Sequence, residues 1–137
     1  VCKLLSRNGT IAISAAISPY ASARREVREM ISKEAGFVEV FVDTPAELCE
    51  KRDVKGMWAK ARAGIIPQFT GLNDPYERPE NAEIVILTEN ESKEESAAKI
   101  IRALEVMEYI TPEDGGVEIS PEEEEKIKAR LSDLGFK

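Results

Sequence analysis

The sequence predicts an α/β protein in which helices cover both faces of a parallel sheet, followed by a small C-terminal helical appendix. Short apolar runs rich in β-branched residues alternate with longer segments of helical periodicity, a pattern typical of β-α-β units. The 137 residues suffice for one domain with its own core. A content of 42% hydrophobic and 33% charged residues indicates a globular chain, and no apolar run approaches the roughly 20 residues that span a bilayer.

Three segments are predicted to be buried strands because they combine apolar and β-branched side chains: residues 10–16, 37–42 and 84–87. The first leads into the string ISPY at 17–20, where Pro19 stops the strand, and the second leads into Asp43-Thr44-Pro45. Ligands of open parallel sheets bind outside the carboxyl ends of the strands. The residues that follow the first two strands are therefore candidates for a binding site.

Helices are predicted from periodicity and end signals. Residues 1–7 have the pattern of the last turns of a helix that Asn8-Gly9 closes. Further helices are predicted at 21–35, 45–52, 54–63, 93–109 and 121–134, with Thr44, Ser92 and Ser120 as N-caps of three of them. In the 93–109 helix the side chains expected to face the core are Ala97, Ile100, Ile101, Leu104 and Met107.

The chain is predicted to consist of a domain at 1–110, a linker at 111–119 and an acidic helical appendix at 120–137 that docks on the domain or on a neighbour. The formal net charge of −7 belongs to the C-terminal third. Residues 1–80 carry 12 Lys/Arg and 11 Asp/Glu, whereas residues 81–137 carry 7 and 15. The first part can hold an anion locally, but nothing resembles a nucleic-acid-binding surface.

The residue types exclude several chemistries. Histidine is absent, which excludes Ser-His-Asp and Cys-His catalysis and argues against a metal site of the zinc type. Cys2 and Cys49 have neither metal-binding nor redox spacing. Reduced cysteines, together with the lack of a secretory signal pattern, predict a cytoplasmic protein.

The most unusual segment is a basic stretch followed by a Gly/Pro-rich loop at 51–76. Five cations and a single acid, Asp53, fall within residues 51–62, and the loop carries Phe69 among glycines and prolines. This composition is typical of a mobile cover over a phosphorylated ligand, in which cations neutralise the ligand and a ring stacks on a base. A solvated basic helix followed by an ordinary loop is the alternative.

Five strings of the sequence resemble the adenylylsulfate kinases: ISPY at 17–20, VEVFVDTP at 38–45, CEKRDVKG at 49–56, KARAGIIPQFTGLNDPYE at 60–77 and PENAEIVI at 79–86. The likeness runs from about residue 3 to residue 109 and does not include 111–137. Each motif alone is weak, but the joint occurrence of RD-x-KG, KARAG and FTG-x-x-x-x-YE is highly specific.

The resemblance implies a P-loop kinase-like fold and an enzyme that uses ATP and Mg²⁺ to phosphorylate the 3′-hydroxyl of adenylyl sulfate. It also implies a homodimer or a sulfate adenylyltransferase domain as protein partner. It places Ile17 and Ser18 in the substrate pocket, with Ser18 as the catalytic candidate because the matching serine is a proposed phosphorylation site. The remaining roles are Lys55 as a lid cation on the substrate, Gln68 and Phe69 as contacts to the substrate adenine with Phe69 stacking, and Arg52 near the ATP adenine.

For each of these residues a simpler interpretation stays open. Ser18 can be part of a turn at a strand end, Lys55 can be solvated, and Phe69 can be an apolar plug under its loop. Asp43 can cap the helix that follows it, so it is not assigned to the site. We interpret Trp58 and Tyr76 as packing residues.

The sequence departs from the family in one large respect. A P-loop requires G-x-x-x-x-G-K-[ST], and none of the eight glycines is followed by lysine. Ala21 also stands where the family has a basic residue after S-P-[YF]. The P-loop and its strand would precede Val1, so we expect this polypeptide to be inactive alone. Two hypotheses follow: the C-terminal part of a kinase, which could be the kinase half of a sulfate adenylyltransferase fusion, or a non-catalytic nucleotide-binding or assembly module.

Overall fold

The computed structural model describes residues 1–112 and 118–136. Their elements, in chain order, are α1 (Cys2–Arg7), α2 (Ala21–Ile31), β1 (Val40–Asp43), α3 (Ala46–Arg52), α4 (Met57–Arg62), β2 (Ile84–Leu87), α5 (Lys93–Val106) and α6 (Pro121–Asp133). None of the helices in these residues is both long and apolar enough to cross a membrane. Contacts divide the chain into two compact units, a first unit of residues 1–37 and 46–80 and a second unit of residues 38–45 and those from 81 onward.

The second unit contains the parallel strand pair and the larger core. Strands β1 and β2 pair in register from Val40 with Ile84 to Asp43 with Leu87, which confirms the predicted parallel α/β arrangement. Beyond the last pair, the hydroxyls of Thr44 and Thr88 lie 2.6 Å apart. The core joins one face of β2 to helices α5 and α6, and its buried members are Ile84, Ile86, Ala103, Ile127 and Leu131.

Helices α5 and α6 begin where the sequence predicts. The hydroxyl of Ser92 accepts a hydrogen bond from the Glu95 N–H, and the Glu95 carboxylate accepts one from the Ser92 N–H, forming a capping box. Ser120 accepts from the Glu123 N–H, and Pro121 occupies the first helical position. These bonds satisfy amide groups that have no partner within the helix.

Helix α6 ends at a glycine and packs on α5 and β2. Gly135 has φ +91°, and the Phe136 N–H donates to the carbonyl of Leu131, the bond of a Schellman cap. Phe136 also packs against the core. The predicted appendix is therefore a helix that docks on the second unit, while residues 113–117 of the predicted linker lie outside the described residues.

Two salt-bridged clusters connect α5 to α6. Arg102 bonds Glu105 at 2.9 Å and Glu124 at 2.7 Å, and Lys128 bonds Glu124 at 2.7 Å. The Arg102 guanidinium, followed by Lys128, lowers the pKa of Glu124 to about 2. Lys99 bonds Glu91 at 2.6 Å and Glu123 at 3.4 Å. Acidic and basic side chains thus bridge the two helices at the edge of the core.

Several sequence predictions differ from the structure. Residues 10–16 form no strand, and Ile11 and Ile13 are 65% and 90% exposed. A strand is stable only when it pairs with another, and residues 10–16 pair with none of the strands in the described residues. Helix α2 ends at Ile31 rather than at Ala35, and β1 begins at Val40 rather than at Phe37.

The inward face of α5 is also rotated from the prediction. Ala98 and Ala103 are buried, whereas Ala97 is exposed and Ile101 is 36% exposed. Small residues occupy the positions closest to the core because they allow the helix backbone to approach it. The larger Ile100 and Met107 pack at the margin of the core.

Candidate functional site

All six predicted site residues lie in the first unit. Ile17 and Ser18 are exposed in the segment before α2, and Arg52 is the exposed last residue of α3. Lys55 is exposed in the turn between α3 and α4, and Gln68 is exposed in the loop after α4. Phe69 in the same loop is half-buried. Two separate sets of contacts hold these residues.

The first set anchors the segment that contains Ser18. This residue has φ +43°, a left-handed conformation that is uncommon for a residue other than glycine. The Arg24 Nη1 donates to the Ser18 carbonyl at 2.7 Å, and the Glu77 N–H donates to the Pro19 carbonyl at 2.8 Å. Hydrogen bonds to two consecutive backbone carbonyls therefore fix the segment, while the Ser18 side chain stays exposed.

Glu77 caps the helix that follows Ser18. The N-cap of α2 is Tyr20, whose side chain provides no capping bond, and the Ala21 N–H instead donates to the Glu77 Oε2 at 2.6 Å. A carboxylate at a helix N-terminus is favoured by the helix dipole as well as by this bond. Arg24 donates to the Glu77 carbonyl at 2.6 Å and lies 5.7 Å from the Tyr76 ring centroid. The YE pair at 76–77 thus anchors the ISPY string.

The second set builds a helical hairpin around Lys55. Gly56 is the N-cap of α4 and has φ +62°, so it supplies a left-handed turn but no capping side chain. The Asp53 carboxylate accepts the N–H groups of Trp58 at 2.9 Å and Ala59 at 3.0 Å. The bond from the Trp58 amide is the main cause that lowers the pKa of Asp53 below its ordinary value.

A salt bridge joins α3 to α4 at the other end of this hairpin. The Arg62 Nε lies 2.8 Å from the Glu50 Oε1, and the Arg62 Nη2 lies 2.9 Å from the Glu50 Oε2, a bidentate pair between α3 and α4. The hydrogen bond between them lowers the pKa of Glu50 and raises that of Arg62. The cationic segment is therefore an ordered hairpin on which all five cations are exposed.

Trp58 connects the hairpin to the loop that carries Phe69. The two rings meet edge to face, with centroids 5.0 Å apart and an interplanar angle of 72°. Gly71 lies so close that a Cβ added there would meet the Trp58 Cη2 at 3.4 Å. Phe69 is thus supported from one side by Trp58 and remains only half-buried.

Asn73 shapes the loop around Gln68 and Phe69. Its Oδ1 accepts the Phe69 N–H at 2.7 Å, and its Nδ2 donates to the Pro67 carbonyl at 2.8 Å. These two bonds bridge the residues that flank Gln68. The carbonyl of Phe69 also accepts N–H groups from residues 72, 73 and 74. The loop is therefore held by its own side chains.

Sequence reasoning missed the residues that hold the site. Glu77, Asp53 and Asn73 each make bonds that fix a predicted site residue, yet none was identified as functional. Asp53 had a signal, since it is the one acid in the basic stretch. Glu77 belongs to the FTG-x-x-x-x-YE motif, but nothing in the sequence indicates that its carboxylate caps a helix 56 residues away.

The geometry presents an exposed cation, an exposed amide, a partly accessible ring and a serine in a fixed left-handed turn. Groups of three Asp, Glu or Cys side chains that could hold a metal ion do not occur in 1–112 or 118–136. With no glycine followed by lysine, the residues present do not fit a magnesium–phosphate site.

Comparisons with a family model and with curated proteins identify the same family. The family described as adenylylsulphate kinase matches residues 1–87. The adenylyl-sulfate kinase of Halothermothrix orenii is 51% identical over 115 residues, which are 83% of this chain and 60% of that protein. The corresponding enzyme of Picosynechococcus is 51% identical over 112 residues, 82% of this chain and 62% of that protein.

A solved structure gives the same result for the fold. The crystal structure of a protein designated APE1195 superposes with a TM-score of 0.65 at 40% identity, covering 72% of this chain and 56% of that one. The predicted P-loop kinase-like α/β fold is thereby confirmed. The chain spans about 60% of the length of the curated relatives it matches.

Proposed function

Because the chain belongs to the adenylylsulphate kinase family, we propose that it supplies the adenylyl-sulfate side of a phosphotransfer site. In the proposed reaction the 3′-hydroxyl oxygen of adenylyl sulfate bonds to the γ-phosphorus of ATP. The bond from that phosphorus to ADP breaks, and the hydroxyl proton is released. The products are ADP and 3′-phosphoadenylyl sulfate.

The observation that carries this proposal is the anchored geometry of the two loops that bear the predicted substrate residues. Phosphoryl transfer depends on positioning and charge neutralisation more than on covalent help from the protein. The Glu77 and Arg24 bonds hold Ile17 and Ser18 in place, while the α3–α4 hairpin holds Lys55. Fixed loops of this kind suit the binding of one defined ligand.

Each residue has a proposed role that its position supports. The exposed Lys55 neutralises the acidic groups of adenylyl sulfate, and Phe69, backed by Trp58, stacks on its adenine. Gln68 contacts the same base from the loop that Asn73 shapes. The proposed roles of the remaining site residues are Ile17 and Ser18 as substrate contacts, Ser18 as the residue that can be phosphorylated, and Arg52 as a contact to the ATP adenine.

ATP and magnesium are the proposed co-reactants, and Arg52 is the proposed contact to the ATP adenine. The described residues include no cluster that could hold a metal ion, and residues 1–137 contain no G-K pair. The chain alone is expected to produce no ADP from ATP and adenylyl sulfate in a coupled assay, and measurable turnover would contradict that expectation.

The direct test of the proposal is isothermal titration of the chain with adenylyl sulfate. We expect binding in the micromolar range, and Phe69→Ala should weaken it by about 1–3 kcal/mol, the range for a base stacked on an aromatic ring. Lys55→Ala should weaken it as well, because it removes the neutralising cation. Titration with sulfate-free AMP should show a smaller effect of Lys55→Ala.

Matched controls separate these roles from loss of structure. Phe37→Ala removes another half-buried ring of the first unit, one that lies under Arg28 at 4.8 Å, and Lys33→Ala removes another exposed cation. Both should leave the affinity unchanged. Wild-type affinity in Phe69→Ala would remove the stacking role, and no binding by the unmutated chain would contradict the proposed function of these residues.

A non-catalytic nucleotide-binding or assembly module derived from this kinase is the second candidate. Such a module would bind adenylyl sulfate yet remain inactive when the P-loop portion of a relative is supplied in trans or by fusion. A homodimer or a sulfate adenylyltransferase domain is the proposed protein partner. Sedimentation of the chain alone and with that domain measures both associations.

A further inference from the structure

Asp53 is the only acid among the cations of residues 51–62, and its carboxylate bonds to backbone. One oxygen accepts the Trp58 N–H at 2.9 Å and the other accepts the Ala59 N–H at 3.0 Å. Both amides belong to the first turn of α4, where the helix itself offers no acceptor. The negative charge of Asp53 is therefore placed at the positive end of a helix.

The backbone N–H and carbonyl of Asp53 also form hydrogen bonds. Its N–H donates to the Cys49 carbonyl at 2.9 Å, which continues the pattern of α3, and its carbonyl accepts the Gly56 N–H at 2.8 Å. Its φ of +23° is uncommon for a residue with a side chain. Such a conformation persists when the surrounding bonds over-determine it.

Two predicted substrate residues depend on this one position. Lys55 lies inside the turn that the Asp53–Gly56 bond closes. Trp58, whose amide Asp53 binds, supports the Phe69 ring at a centroid distance of 5.0 Å. A change at Asp53 should therefore alter the cation and the ring together, although they are 14 residues apart in sequence.

We propose that Asp53 is a positioning residue that holds Lys55 and the Trp58–Phe69 pair in the arrangement that binds adenylyl sulfate. The proposal rests on the proposed function of these residues. Asp53 need not contact the ligand. Gly56 gives the turn its left-handed conformation but has no side chain to cap α4, and the Asp53 carboxylate supplies that cap.

The test uses three variants of the chain. Asp53→Ala removes both acceptor oxygens. Asp53→Asn keeps one of them, so it should retain part of the adenylyl-sulfate affinity. It replaces the alanine variant in the test if that variant does not fold. Glu50→Gln is the matched control, since it removes one carboxylate from the same hairpin at the Arg62 end. Amide hydrogen exchange at residues 58 and 59 and the fluorescence of Trp58, the only tryptophan, report the turn without any ligand.

We expect Asp53→Ala to speed exchange at residues 58 and 59 about tenfold and to weaken adenylyl-sulfate binding about five- to tenfold, the size expected for the loss of a helix cap. Asp53→Asn should fall between wild type and alanine, and Glu50→Gln should change neither amide. Unchanged exchange and fluorescence in Asp53→Ala would overturn the proposal.

A double-mutant cycle distinguishes positioning from a general loss of stability. If Asp53 acts through Lys55, then Asp53→Ala should cost clearly less affinity in a Lys55→Ala background than in the wild type. An equal cost in both backgrounds would overturn the proposal. If the unmutated chain does not bind adenylyl sulfate, the proposed function fails, and the exchange and fluorescence measurements still decide whether Asp53 holds the turn.

Discussion

The two units begin their helices in different ways. In the second unit, α5 and α6 are capped by the serine directly before each helix, Ser92 and Ser120. In the first unit, neither α2 nor α4 has a capping side chain at its own N-cap. Glu77 caps α2 from 56 residues away, and Asp53 caps α4 from beyond the glycine that starts it.

The two units also differ in how many apolar side chains they bury. Within the described residues, the buried apolar side chains of the first unit are Ile31 and Ala61, whereas the second unit buries a connected cluster around Ile84 and Leu131. In the first unit, the contacts that hold the predicted site residues are mostly hydrogen bonds and ion pairs. All the predicted site residues lie in the first unit, so the proposed binding residues and the larger core belong to different parts of the chain.

The largest expected effect is in the packed unit. Leu131 is 2% exposed, and Leu131→Ala should lower the free energy of unfolding by about 2–5 kcal/mol because it leaves a cavity. Urea denaturation followed by circular dichroism measures the loss. Ile101→Ala, on the 36% exposed face of α5, is the control and should cost far less. Similar losses in both variants would contradict the assignment of the core.

An intermediate effect should separate the two kinds of cap. Glu77→Ala and Ser120→Ala each remove one N-terminal acceptor and should cost about 0.5–2 kcal/mol of stability. Only Glu77→Ala should also weaken adenylyl-sulfate binding and expose residues 17–21 to proteolysis, because it releases the Ser18 segment. Equal effects of the two variants on binding would remove the distinction between the units.

The smallest effect concerns pH and lies in the second unit. Since Arg102 and Lys128 lower the pKa of Glu124 to about 2, its folded pKa is below the unfolded value of about 4.5. Its contribution to stability is present above pH 4.5 and is lost as the pH falls toward 2. Glu124→Gln should reduce the loss of stability between pH 5 and pH 3, measured by urea midpoints. An unchanged pH dependence would contradict the pairing.

Local signals predicted the capped helices of the second unit and the helices α1 and α3 of the first unit, but each unit also contains an element that they misplaced. The bounds of β2 and the caps at Ser92 and Ser120 follow from residues next to one another, and the structure confirms them. The strand predicted at 10–16 was wrong because its apolar pattern says nothing about whether a neighbouring strand is present. The face of α5 was misplaced by one position because the buried Ala98 and Ala103 resemble surface alanines in sequence.

The site could be predicted only in part. Family resemblance pointed to Lys55, Phe69 and Ser18, but their roles remain predictions. The bonds of Glu77, Asp53 and Asn73 could not be predicted, since each depends on a turn whose path is set by tertiary contacts. A capping serine can be recognised beside its helix, whereas a carboxylate that caps from a distance cannot.

The distant cap on α2 has a consequence for the order in which the chain folds. In a full-length chain that refolds, the Ala21 amide stays without its carboxylate partner until the 55 residues between it and Glu77 have closed into a loop. Helices α5 and α6 need only their adjacent serines to begin. We therefore expect the Ser18 segment to order late in refolding, with low φ-values, so that a partly folded chain gains α5 and α6 before the proposed substrate-binding segment is fixed.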